Sequence, residues 1–271
     1  MKQGIIVVNH GTSDFDARQN TIEEFMLSIG DRFEDADISS AYTDGEVRRK
    51  LREISGEKIQ NVKAAVLSMK ERGVTHLSVI TTDMIEDSGH KKIREEVSSL
   101  AGLFRDVRIT KPLLSDKKDS DLAARAFFSA FNETVGDDHL VVIACDDRTV
   151  YEDQENDFLM DEVFDKPLEC LEESLRGFIK NSYVASISGK RKLYKVIKEI
   201  NSIEDGRKKR IVLVPLEFIA GETIENEVSR NLPELIERLR EEDYDVEVIF
   251  KGLGEYDAFQ RLYLKHLYDE R

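Results

Sequence analysis

Short apolar runs alternate with longer stretches of helical period along the whole chain. Ile5-Ile6-Val7-Val8, Leu77 to Thr81, Val107 to Thr110 and Leu140-Val141-Val142-Ile143 are rich in β-branched residues, the pattern of buried strands. Between them, Arg18 to Ile29, a stretch opening at Val47 to Leu51, Ile59 to Arg72, Lys91 to Leu100 and Leu122 to Phe131 read as helices, with Gly73 closing the third. Strand–helix alternation of this kind predicts an α/β fold, a parallel sheet covered by helices on both faces.

The order then restarts. Leu140 to Ile143 resembles the first strand, with Asp146 lying 136 residues beyond His10. Val212-Leu213-Val214 and Ile219 repeat Val79-Ile80 and Ile85 at an offset of 134, and Ile249 to Leu253 repeat Ile109 to Leu113 at 140. Three similar offsets in one order point to an internal duplication. The expected architecture is two similar doubly wound parallel-sheet halves, 1–134 and 135–271, facing each other across a cleft. The acidic stretch Thr134 to Asp138 is the junction, and Arg207-Lys208-Lys209-Arg210 reads as a solvated helix-to-strand turn.

Charge narrows the function classes. The 271 residues carry 40 Lys+Arg against 55 Asp+Glu, a net charge of -15, so a general nucleic-acid role is disfavoured by repulsion of phosphate. No apolar run approaches the roughly 18 residues of a membrane span. The opening MKQGIIVVNHGT turns polar too soon for a secretory signal, and a cytoplasmic protein is expected. Two cysteines, Cys145 and Cys170, are too few for a disulfide framework or a structural zinc site; Cys145 reads as a small buried hydrophobe.

In open parallel sheets, ligands bind beyond the carboxyl ends of the strands. That selects the loops Asn9 to Asp14, Thr82 to His90, Ala144 to Thr149, Ser186 to Lys190 and Glu217 to Glu222. His10 directly follows the first strand and precedes Gly11-Thr12-Ser13, where a neutral imidazole binds a metal or takes a proton, or merely caps the loop. His90 closes Asp83-Met84-Ile85-Glu86-Asp87-Ser88-Gly89, a segment that supplies the carboxylate and imidazole ligands borderline metals accept, and that also suits an ordinary helix start. His76, His139 and His266 read as structural or solvated. The loop after the first strand lacks the spacing of a P-loop or dinucleotide fingerprint, which lowers phosphoryl transfer and NAD chemistry.

Several segments together resemble the anaerobic, ATP-independent sirohydrochlorin cobaltochelatases of the class II chelatase superfamily. They are NHGTSDFDAR (9–18), AYTDGEVRRKL (41–51), KPLLSD (111–116), VPLEFIAGETIENEV (214–228) and KGLGEYDAFQRLYLKHL (251–267), spread over nearly the whole length and in the family's order. The resemblance implies a chelatase fold and insertion of a divalent metal as substrate, Co²⁺ first with Ni²⁺ or Fe²⁺ open, into a tetrapyrrole. It implies no organic cofactor and no ATP, and a small homo-oligomer is open.

The departures bear on the site. Where the family usually places two metal-site histidines in the carboxy-terminal half, this chain has Asp146, in IACDDRT, and Thr223, in AGETIEN. The carboxylate usual in the amino-terminal half falls near Gly89, and the family's tryptophan segment is replaced by LPELIER in a chain with no Trp. His10, where double-length relatives carry an aromatic, and SGH (88–90) match instead the histidines after the first and third strands of the short single-domain chelatases. The resemblance thus implies a metal site moved to the amino-terminal half, with His10 and His90 as ligands and His10 also taking a pyrrole proton. Glu86, Asp83 or Asp146 would complete it, and Gly11, Thr12, Ser13, Arg48, Arg49, Asp146 and Glu222 would hold the polycarboxylate substrate. Lys50, Arg18, Lys91, Lys92 and Lys190 supply further positive charge near the same loops. A non-catalytic tetrapyrrole or metal carrier and a different enzyme on the same scaffold remain alternatives.

Overall fold

The structure, a computed structural model, describes residues 2–144, 165–186, 191–203, 210–220 and 233–269. Strands β1 (Gln3–Asn9), β2 (Asp37–Tyr42), β3 (His76–Thr81) and β4 (Asp106–Ile109) form one sheet in the order β2-β1-β3-β4. Strands β5 (His139–Ala144), β6 (Ser182–Ser186), β7 (Arg210–Pro215) and β8 (Asp245–Val248) form a second in the order β6-β5-β7-β8. Every pairing is parallel, and the identical order is the structural form of the repeat read from the sequence. Ile249, counted in that repeat, lies just beyond β8.

The helices are α1 (Phe15–Arg18), which runs through a π-turn into α2 (Glu24–Gly30), then α3 (Gly45–Ser55), α4 (Val62–Glu71), α5 (Ser88–Ser99) and α6 (Lys117–Val135). In the second half come α7 (Lys166–Arg176), α8 (Leu193–Asn201), α9 (Pro233–Glu241) and α10 (Asp257–Asp269). Short acidic or amide side chains start many of them. Asp14, Asp44, Asn61, Asp87 and Asp116 each accept a backbone N–H of the first turn of α1, α3, α4, α5 and α6.

Alternation along each strand sorts the core. Ile6, Val8, Leu77 and Val79 face α4 and α5, while Ile5, Val7 and Ile80 face the opposite way. That second face joins Leu140, Val142, Val212 and Val214 of the other sheet in one continuous apolar cluster. Aromatic edge-to-face contacts close it, Phe25 with Phe218 at 5.4 Å and Phe218 with Tyr263 at 5.2 Å between ring centres.

Two helices tie the sheets together. Helix α6 lies along α7, with Ser174 Oγ donating to Asp121 at 2.7 Å and Lys117 Nζ to Glu173 at 3.0 Å. Helix α10 returns to the first sheet, where the Tyr263 hydroxyl donates to the Thr82 carbonyl at 3.0 Å. His266 on the same helix is buried between the Lys111 carbonyl and the Asp119 carboxylate, each at 3.2 Å, so it is structural and not solvated. Among the described residues, no helix is long and apolar enough to cross a membrane.

Candidate functional site

The geometry of the first sheet picks out one place. From β1 the chain crosses to β2 on one side, and from β3 to β4 on the other, so the crossovers diverge between β1 and β3. Such a divergence opens a crevice at the carboxyl ends of the two strands. Val8 stands opposite Thr81 there, and His10 and Asp83 each follow two residues later on strands about 5 Å apart.

His10 is 63% exposed, with Nε2 3.1 Å from Asp44 Oδ2. Asp44 is itself fixed, because its Oδ1 accepts the Glu46 N–H at 2.6 Å as the cap of α3. The imidazole therefore leans on a carboxylate anchored in a helix start, and Nδ1 remains for another ligand.

Behind it, Gly11 has φ +97°, and a Cβ added there would lie 2.5 Å from Tyr42 Cδ2. Gly11→Ala is expected to strain this turn by roughly 1–3 kcal/mol, seen as a lower thermal midpoint. An unchanged midpoint would mean that the Tyr42 ring moves aside freely. Thr12 is buried and its Oγ1 accepts from the Asp14 N–H at 3.1 Å, while Ser13 is half-buried.

His90 sits in the first turn of α5 and is only 1% exposed. Its Nδ1 is 2.9 Å from Asp83 Oδ2 and 3.3 Å from Thr81 Oγ1, and its backbone N–H donates to Asp87 Oδ1 at 2.7 Å. Burial pushes the Asp87 carboxyl up, with the nearby Asp83 charge adding to the shift and the His90 N–H opposing it. Each histidine thus has its own aspartate, but one ring faces solvent and the other is enclosed. Glu86 turns away to Arg94, 2.7 Å from its Nη1.

Among the described residues no three His, Cys, Asp or Glu side chains are grouped as a ready metal cage, so His10, His90 and Glu86 are not a preassembled triad. Asp146, Lys190, Glu222 and Thr223 lie outside the described residues, as does Cys145.

The basic residues divide. Arg18 is taken up by Glu23 and Glu57 at 2.9 and 2.6 Å, and exposed Arg49 lies 3.5 Å from Glu53. Arg48 is half-buried and its Nε is enclosed without a hydrogen-bond partner, one turn along α3 from the Asp44 that holds His10. Asp44 falls within the segment 41–51 but is not marked there as a site residue, because its contact with His10 depends on the start of α3 lying against the end of β1. Nor is Asn9 marked, whose amide oxygen and nitrogen are both buried without a partner at the end of β1.

A family model described as Cobalt chelatase (CbiK) matches residues 3–270. The chain belongs to this family. A sirohydrochlorin cobaltochelatase of Salmonella typhimurium is 29% identical to this CbiK-family chain over 119 residues, 44% of the chain and 45% of that relative, so the matched segment spans less than half of the relative's length. Two solved structures share the fold over the full chain. The sirohydrochlorin chelatase SirB from Bacillus subtilis subspecies spizizenii in complex with cobalt aligns with a TM-score of 0.65 at 14% identity, over 95% of its length. SirB from Bacillus subtilis with Fe³⁺ aligns with a TM-score of 0.67 at 16% identity, over 96% of its length. The expected α/β class with two parallel sheets is thereby confirmed at the level of fold.

Proposed function

We propose that this CbiK-family chain inserts a divalent metal, Co²⁺ in the first instance, into sirohydrochlorin, working from the carboxyl ends of β1 and β3. The observation that carries the reading is the pair of histidine–aspartate contacts at the crevice, His10 just beyond β1 held by Asp44 at the start of α3, and Asp83 just beyond β3 held by His90 in the first turn of α5. Family membership and the relatives' names support the substrate class. The reaction needs no ATP and no organic cofactor.

Metal insertion releases two pyrrole protons, so the protein must hold the metal loosely and offer a base beside the macrocycle. A neutral imidazole serves both ends, because its metal bonds exchange and its pKa lies near neutrality. Exposed His10 is the entry ligand and the proton acceptor. Asp44 orients its ring and stabilises the charge that follows protonation, as carboxylates do behind metal-bound histidines. His90 is assigned as the second ligand, with Asp83 fixing its Nδ1 and Nε2 left for the metal. Because its ring is enclosed, His90 acts only when the residues above it part. Glu86 is at most an outer partner. Anaerobic insertion assays across cobalt, nickel and iron test the reading. Rates above the spontaneous ones support it, and rates equal to them for all three metals favour a carrier, to which the Asp146 and Thr223 replacements already lend weight.

Substrate capture falls to local positive charge. In a chain of net charge -15, a half-buried guanidinium whose Nε has no hydrogen-bond partner among the described residues is a site for a substrate carboxylate, and Arg48 fits. Reversing Arg48 and Arg49 to glutamate is expected to weaken sirohydrochlorin binding by roughly tenfold and to flatten its salt dependence, read by absorbance titration at two ionic strengths. Equal affinity and equal salt slope would remove both residues from the site.

A further inference from the structure

At the opposite edge of the first sheet, the amino ends of β1, β3 and β4 border a cavity of about 270 Å³. It lies about 16 Å along β3 from the candidate metal site, and nothing in the chelatase reading uses it. Leu77, Val79, Val107 and Ile109 pack on the outer face of the sheet, so His76, Ser78, Asp106 and Arg108 alternate onto the inner face. Higher up, that same face is wholly apolar at Ile5, Val7 and Ile80. Its lower corner instead carries a polar ladder, His76 opposite Asp106 and Ser78 opposite Arg108 in strand register. Phe33 and Leu267 of α10 form the apolar walls without filling the space.

The ladder has hydrogen-bonding capacity to spare. Arg108 uses Nε on Asp106 at 2.9 Å, and its two Nη groups bond no other atom among the described residues. His76 uses Nδ1 toward Thr75 Oγ1 at 2.9 Å, leaving Nε2. The Ser78 hydroxyl and the Gln3 side-chain amide bond no other group among the described residues. Asp106 is engaged by Arg108 Nε, so the donors to spare are the two Arg108 Nη groups, the Ser78 hydroxyl and the Gln3 side-chain amide. Nε2 of His76 is an acceptor, because Nδ1 donates to Thr75, whose hydroxyl is given to the Lys2 carbonyl. Convergent donors at one side of an otherwise apolar hollow are the makeup of a small-ligand site, and the volume is near the lower end of such sites.

We infer that this cavity binds a small organic anion, one carboxylate on a ring-sized apolar body. The carboxylate sits on the Arg108 fork with Ser78 beside it, and the apolar body lies against Phe33, Ile5 and Leu267. The site stands independently of the proposed metal insertion.

The test is a titration of the full chain with benzoate, followed by ¹⁵N–¹H NMR, with benzylammonium as the cationic counterpart. Saturable shifts confined to β1, β3, β4 and α10 are expected with benzoate and not with benzylammonium. Arg108→Leu is expected to weaken benzoate at least tenfold, and Ser78→Leu, which fills the cavity, to abolish it. Absence of saturation with benzoate, equal binding of benzylammonium, or wild-type affinity in Arg108→Leu would each overturn the assignment. Should Ser78→Leu not fold, Arg108→Leu at the sheet edge decides alone.

Discussion

His10→Ala is expected to lower the rate of Co²⁺ insertion into sirohydrochlorin at least 100-fold while leaving the fold unchanged. The side chain is 63% exposed and touches the rest of the chain chiefly through Asp44, so little packing is lost with it. What disappears is the proposed metal-entry ligand and the base for the pyrrole protons, and positioned general bases are worth about 10²–10⁴ in rate. Asp44→Asn separates the two contributions. Asparagine still caps α3, so the helix start and the backbone under His10 stay in place, but the charge behind the imidazole is gone. A roughly tenfold fall in kcat with little change in KM is the expected outcome, the size seen when partners behind metal ligands are removed. His90→Ala, measured alongside, reports whether the enclosed histidine is reached during turnover. Anaerobic absorbance assays of the three variants against the spontaneous rate check all of this. Wild-type turnover in His10→Ala would place the chemistry elsewhere, and the relocated-site idea would fail.

What could be read from the chain beforehand follows from how local each signal is. The buried strands β1, β3 and β5 are dense β-branched runs, and the repeat between β1 and β5 and between β3 and β7 survives as spacing, so the two-sheet architecture was legible. Strand β2 was not, because an edge strand reading DISSAY is only half-buried over its first four positions and carries little apolar pattern. A histidine directly after a strand, or closing the loop that follows one, stands out in the sequence, and this singles out His10 and His90. Their difference in burial was invisible, since it depends on what packs over α5 rather than on neighbours in sequence. Helix α10 reads as the last helix of the second half, yet its Tyr263 and His266 bond to Thr82, Lys111 and Asp119 of the first. Asp119, within KKDSD at the start of α6, has the look of a solvated helix acid, and only the tertiary fold shows it to be buried.

That burial makes Asp119→Ala the variant with the largest expected loss of stability. Asp119 is 2% exposed, with Oδ1 3.2 Å from His266 Nε2. Lys111 Nζ lies 2.6 Å from Oδ2, which receives its charge rather than a directed hydrogen bond. Burial alone would raise the Asp119 carboxyl pKa, but the contacts with His266 and Lys111 outweigh it and hold the group below its ordinary value. Removing one member of a buried charged network leaves the others unsatisfied, here at a cost of about 3 kcal/mol, or roughly 6–10 °C in thermal midpoint for a chain of this size. The sign with pH follows from the depressed folded-state value. The carboxylate stabilises the fold above its unfolded pKa of about 4, and that contribution is lost as pH falls through the lower folded value. Lys111, raised by Asp119 and Asp116 against its own desolvation, sets the opposite limit: its contribution is complete below about pH 10 and fades as pH rises through its raised value. Thermal melts of the wild type and Asp119→Ala should therefore differ most near neutrality and converge below about pH 4. A gap that stays constant into acid would mean that Asp119 supports the docking of α10 through shape and not through charge.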